Sequence, residues 1–175
     1  MKRDALALLG YLTLQRLVEL RVARRHTERL LAAGAYERGA RHYPYMVALH
    51  TTWLATLWIY GRDARLRLAF VVPFLVLQIA RYWVLRTLGE RWTTRIIILP
   101  GAAPIVSGPF RFVRHPNYAV VALELPCVAL ALGLRAHAAL FGALNLAMLT
   151  RRIRSEDAAF RELRATQPED GILPP

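Results

Sequence analysis

The chain has 175 residues, 55% of them hydrophobic, with a mean hydropathy of +0.27 and a net charge of +12 from 24 basic and 12 acidic residues. A nucleic-acid binder of similar charge displays its basic residues on a polar surface, whereas here the arginines fall between long apolar runs, as in a polytopic membrane protein. The length allows one domain, and the single cysteine, Cys127, excludes an internal disulfide and any cysteine-based zinc framework.

Five apolar stretches follow in chain order. The first, ALALLGYLTLQRLVEL at 5–20, is weakened by Gln15, Arg16 and Glu19. Basic Lys2 and Arg3 precede it as in a signal peptide, but it runs on into Arg16, Glu19 and Arg21 rather than a small-residue cleavage site, so a retained helix is expected. The second, 44–60, has no charge, and the third, 66–85, carries Arg67 near its start and Arg81 near its end. The fourth and fifth, 119–134 and 136–149, are parted by Arg135 alone and predict a tight antiparallel helical hairpin. About 20 apolar residues cross a bilayer squarely, so the second and third stretches qualify and the hairpin helices are short. The expected fold is all-α: one membrane bundle over 1–175 of about five transmembrane helices, with spans in 1–99 and a functional hairpin region over 100–160.

Charge placement sets an expected orientation. Loops 21–43 and 86–117 and the tail from 151 hold sixteen arginines, against six basic residues on the opposite side, so the sixteen are expected to face the cytoplasm. The segment RFVRHPNY, 111–118, lies on that face. Pro116 bars a regular helix through His115 and suits the first turn of the next one. That helix start, with His115 and Tyr118 beside it, suits an anionic ligand bearing a flat ring; a helix cap flanked by headgroup-binding arginines, with Tyr118 as an interfacial anchor, is the competing reading. A second cluster, TRRIRSEDAAF at 150–160, places Arg152 and Glu156 on one helical face, as a site or as a surface ion pair. A hairpin returns the chain to its starting side, so the two clusters should become neighbours.

Between them, Glu124 stands alone in an apolar run. An intramembrane carboxylate is a functional candidate by default, and its alternative is a buried ion pair with Arg81 or Arg16. Gln78 and Arg81 share a helical face and read as helix-to-helix glue. His50 reads as an interhelical hydrogen-bond donor, and His42 as an interfacial residue. His26, His42, His50, His115 and His137 show no ligand spacing, so no metal site is expected. The four tryptophans, 53, 58, 83 and 92, read as interface or packing residues.

SGPFRFVRHPNY, an apolar hairpin and RIRSED, in that order and spacing, resemble the isoprenylcysteine carboxyl methyltransferase family, which overlaps the bacterial phospholipid-methyltransferase-like proteins. The match is close over about 100–160. Upstream, ERGARHYPYMVALH and QIARYWVLRTLGERWTTRIIILPG look like a bacterial subgroup associated with methylating long-chain polyketide lipids. The resemblance implies a membrane-embedded enzyme using S-adenosyl-L-methionine without a Rossmann domain, and no G-x-G-x-x-G loop occurs. It implies that Ala102, Ala103, Pro104 and Ile105 line the cofactor, that Phe110, His115, Pro116, Asn117, Tyr118 and Glu156 hold it, and that Arg152 faces the substrate. The chain departs from the family pattern at Phe110 and Asp157, where tyrosine and glutamate are usual. The expected activity is O-methylation of a carboxylate or a phenolic or enolic hydroxyl on a prenyl or long-alkyl molecule entering from the bilayer. Arg152 would orient the acceptor, and Glu124 is the deeper catalytic candidate. Phospholipid N-methylation and a non-enzymatic anionic-lipid-binding role are the alternatives. The expected location is a bacterial inner or plasma membrane with the site facing the cytoplasm, in contact with membrane lipids and no nucleic acid.

Overall fold

A computed structural model describes residues 2–166; of the basic residues counted above, Lys2 and Arg164 lie outside the described side chains. Five helices dominate: α1 Lys2–Ala32, α2 Tyr43–Gly61, α3 Leu68–Leu88, α4 Pro116–Ala131 and α5 Arg135–Thr166. Two three-residue strands, β1 Tyr36–Arg38 and β2 Ile96–Ile98, interrupt the all-α expectation. They pair antiparallel, Tyr36 opposite Ile98 and Arg38 opposite Ile96. The β-branched run at 96–98 suits a half-buried pleated surface, and the pair ties the α1–α2 and α3–α4 loops together.

Each expected apolar stretch became a helix, but the boundaries moved. Gln15, Arg16 and Glu19 do not end α1, because a helix needs only one continuous apolar face when its polar face finds partners inside. Asp4 in the first turn and Arg29 in the last also suit the helix dipole. The fifth stretch continues as α5 well beyond 149, into the charged tail.

α4 packs along both α3 and α5 and forms the spine of the bundle, whereas α2 leans more lightly on α1 and α5. Leu9, Leu12, Trp53, Leu57, Phe74, Leu125, Val128 and Leu132 make the main core. The α4–α5 hairpin turns at Gly133, whose φ of +78° favours glycine, and a Cβ there would stand 3.3 Å from the Arg67 guanidinium. The Arg67 amide, at the start of α3, donates to the Ala131 carbonyl at 2.9 Å and pins the turn. A smaller core joins Ile96 and Ile98 to Ala159 of α5, with Tyr36 and Leu163 around it.

Among the described residues one helix, Leu68–Arg91 counting its terminal turn, is long and apolar enough to cross a membrane. Of the five spans expected from the sequence, this one meets the test of length and apolarity. α4 has 16 residues, ~24 Å at 1.5 Å per residue, short of a ~30 Å hydrocarbon core. α1 and α5 are long, but their uncharged runs, 5–15 and 136–150, are shorter than a span. α3 turns Leu68, Val72, Leu75, Val76, Ile79 and Tyr82 outward, all more than half exposed and spaced on one helical face. An outward apolar stripe of this size marks a surface made to be covered, here by lipid.

Candidate active site

The chain enters α4 through a short 3-10 turn, Gly108–Arg111, and an extended stretch that ends at His115. Gly108 has φ +57°, and a Cβ on it would lie 2.5 Å from the Thr87 hydroxyl oxygen, so this loop sits hard against α3. Pro116 occupies the first turn of α4, and the His115 carbonyl accepts from the Tyr118 and Ala119 amides, both at 3.1 Å. Across the hairpin, α5 presents Arg152, Glu156 and Asp157 to this entry.

The two clusters expected to converge do so. The Tyr118 hydroxyl donates to Glu156 Oε2 at 2.7 Å. His115 stacks on the Tyr118 ring, with centroids 5.5 Å apart. Its Nδ1 lies 3.8 Å from Glu156 Oε2, its Nε2 3.4 Å from Asp157 Oδ1, and Arg114 pairs with Asp157 at 3.2 Å. The Arg152 guanidinium carbon stands 5.7 Å from the centre of the Tyr118 ring, and its Nη1 points at the Met46 sulfur at 2.9 Å. Arg152 is 5% exposed, and among the described residues no carboxylate pairs with it. His42, also buried, has its pKa held below the ordinary imidazole value by burial and then by the charges of Arg152 and Arg151.

Two cavities open on either side of this meeting point. One, about 380 Å³, lies beneath the loops and is walled by β2, the 99–106 segment, the start of α4 and the outer end of α5. Every residue expected to hold a cofactor lies on this wall: Ala102, Ala103, Pro104, Ile105, Phe110, His115, Pro116, Asn117, Tyr118 and Glu156. The Arg91 guanidinium donates to the Ala103 carbonyl and fixes the 102–105 segment. The cavity also takes Leu30, Arg95 and β2, so it reaches upstream of residue 100. The other cavity, about 420 Å³, lies inside the bundle among α1, α2, α4 and α5. α2 faces it with Tyr43, Met46, His50, Leu54 and Trp58, a helical stripe, and the wall is mainly apolar. Trp92, Thr93, Asn117, Tyr118 and Arg152 line both cavities and form the partition.

Glu124, expected as a catalytic candidate or as a buried ion pair, takes the ion-pair arrangement. It is fully buried and lines neither cavity. Arg16 reaches it at 2.8 Å and Arg81 at 3.0 Å, so the ion-pair alternative holds with both arginines at once. Gln78 donates to its other oxygen at 3.0 Å, and Glu19 pairs with Arg16 and Arg81. Two cations and two carboxylates thereby balance, which is the condition for keeping charge in such an interior. Gln78 and Arg81 are helix glue, as their shared face suggested. His50 makes no side-chain hydrogen bond among the described residues and faces the bundle cavity instead. His137 meets Thr56 at 2.8 Å, His26 meets the Trp92 carbonyl at 2.8 Å, and the described residues contain no cluster of metal-ligating side chains.

Met46, Thr93 and Asn145 belong to the cavity walls and escaped the sequence reading, and Trp92, read as an interface or packing residue, lines both cavities. The one signal was Asn145, a lone amide in the apolar run FGALNLAML.

A model of the isoprenylcysteine carboxyl methyltransferase family matches residues 68–162, which contain the partition, β2, α4 and the functional part of α5. The chain belongs to this family. Membership implies a membrane-associated methyltransferase. The chain is similar to the uncharacterized protein YpbQ of Bacillus subtilis, 35% identical over 89% of this chain and 95% of that protein. It is also similar to an uncharacterized protein of Haemophilus influenzae, 31% identical over 85% of this chain and 90% of that protein. No solved structure matches.

Proposed function

We propose that the protein is an S-adenosylmethionine-dependent O-methyltransferase whose cofactor occupies the loop cavity and whose lipidic acceptor occupies the bundle cavity. The observation that carries this reading is Arg152, a buried cation without a carboxylate partner among the described residues, set on the partition between two cavities of ligand size.

The loop cavity suits the cofactor chemically. His115 Nε2 and Asp157 Oδ1 are buried and make no well-aligned hydrogen bond among the described residues, although they lie 3.4 Å apart and Arg114 pairs with Asp157, so they retain polar capacity toward a ligand. Glu156 and Asp157 are acceptors for hydroxyl and amino groups, and Phe110 and Tyr118 offer flat faces for a ring or a sulfonium. When bound, S-adenosylmethionine supplies a methyl group on a sulfonium, open to in-line displacement. Glu156 holds the Tyr118 hydroxyl and so fixes its ring on the partition. Arg152, already aimed across that ring, orients an anionic or electron-rich acceptor oxygen. A carboxylate needs no base; a phenol or enol gains acidity beside the same cation. The apolar remainder of the bundle cavity takes the prenyl or alkyl portion and excludes water from the reacting pair. An amine acceptor suits this partition poorly, because its protonated form is repelled by Arg152.

The test uses detergent-solubilised protein. S-adenosylmethionine or its demethylated product should raise the melting temperature, and His115→Ala and Glu156→Ala should each abolish that rise. Arg152→Ala should keep the rise and lose at least ~10-fold in transfer of labelled methyl into a total lipid extract. Unchanged cofactor stabilisation in both cavity variants contradicts the site, and methyl label appearing on phosphatidylethanolamine contradicts O-methylation.

A further inference from the structure

Asn145 lies about a third of the way along α5 on the wall of the bundle cavity, on one stripe with Met148, Leu149 and Arg152. Two helical turns, ~10 Å along the axis, separate it from Arg152. Its side chain is fully buried, and Nδ2 donates to the Val121 carbonyl at 3.2 Å. A carbonyl can only accept, so this bond fixes the amide with nitrogen toward α4 and oxygen away from it. Oδ1 has no partner among the described residues.

An orphaned acceptor in an apolar interior calls for a donor. Three of the polar groups on the wall are already engaged, and His50, Asn117 and Arg152, which share the wall, make no hydrogen bond to Oδ1. Glu19 is held by Arg16 and Arg81. The Thr13 hydroxyl donates to the Leu9 carbonyl and accepts from Trp58 Nε1 at 3.0 Å. The Tyr43 hydroxyl meets Thr94 at 3.1 Å. A ligand in this cavity is placed to bring the donor.

Resting on the methyltransferase reading above, we propose that Asn145 Oδ1 is a specificity-determining hydrogen-bond acceptor for the methyl acceptor's head group. The acceptor carries, besides the oxygen methylated at the Arg152–Tyr118 partition, a second polar group bearing an O–H or N–H that reaches Asn145. A head group with a single functional oxygen leaves Oδ1 empty and is discriminated against, because a site built to bond a donor rejects the analogue that lacks it.

The experiment compares two pairs of probes that differ by one donor. One pair is a long-chain phenol with and without a second ring hydroxyl. The other is a prenyl-thioether carboxylate with and without an acylated amine. Wild-type protein should favour the donor-bearing member of at least one pair by ~10-fold or more in kcat/KM. Asn145→Leu should erase that preference while S-adenosylmethionine still raises its melting temperature, since Asn145 does not line the loop cavity. Asn145→Asp should keep the preference, because a protonated carboxyl can donate to Val121 and accept with its other oxygen. The wild-type comparison does not depend on the folding of any variant. Equal handling of both members of each pair, including turnover of neither, overturns the inference, as does a preference that survives in Asn145→Leu. A wild-type protein that the cofactor does not stabilise overturns the methyltransferase reading, and this inference falls with it.

Discussion

Arg152 and Glu124 show how two buried charged residues of one chain end in opposite states of pairing. Both are buried, but Glu124 has two guanidiniums and an amide around it, whereas Arg152 has a tyrosine ring and a thioether. A balanced network holds helices together, and an unbalanced cation is free to act on a ligand. Removing one member of the balanced set leaves its partners uncompensated, at a cost of about 3–5 kcal/mol. Glu124→Ala should therefore lower unfolding stability by that order, and Glu124→Gln by less, since its amide oxygen still accepts. Denaturant titration of the solubilised protein measures both, and a Glu124→Ala midpoint matching wild type refutes the network's role. The sequence showed that Glu124 was unusual but left its partner open, because Arg16 and Arg81 lie 108 and 43 residues away along the chain.

At the scale of elements, the α4–α5 hairpin brings the two halves of the site together and the α3–α4 loop closes it. Proximity of His115–Tyr118 to Arg152–Glu156 was legible from the sequence, since a turn this short forces antiparallel neighbours. The loop's dependence on Gly108 was not. A left-handed backbone and the close approach of Thr87 leave no room for a side chain there. Gly108→Ala should cost ~1–2 kcal/mol from the backbone conformation alone, more with the contact, and should displace the loop that carries Phe110. The expected result is a lower melting temperature together with a reduced shift on adding cofactor; a full cofactor shift would show the loop to be indifferent to that contact. The β1–β2 pair was also missed. Three residues of strand against three give too little periodicity to read, and only the tertiary pairing of Ile96–Ile98 with Tyr36–Arg38 makes the segment a strand.

For the molecule as a whole, the outward stripe of α3 faces a surface that must be apolar, and the arginine-rich loops mark where that surface ends. Ile79, 71% exposed near the middle of α3, tests this directly. Placing arginine at the centre of a span costs about 3–4 kcal/mol relative to isoleucine in membrane insertion. Ile79→Arg should markedly reduce the protein recovered in the membrane fraction, although it removes no internal contact of consequence; unchanged recovery would mean that α3 does not meet lipid.

The sequence by itself determined the helical class, the hairpin and the residues that gather around Tyr118, because those follow from local periodicity, one proline and one short turn. Only the tertiary structure decided that Glu124 is a structural ion, that the two cavities share a wall at Arg152, and that Asn145 holds an unused acceptor. These depend on which distant side chains arrive to satisfy or leave unsatisfied a buried polar atom, and a single chain read in one dimension carries no record of that pairing.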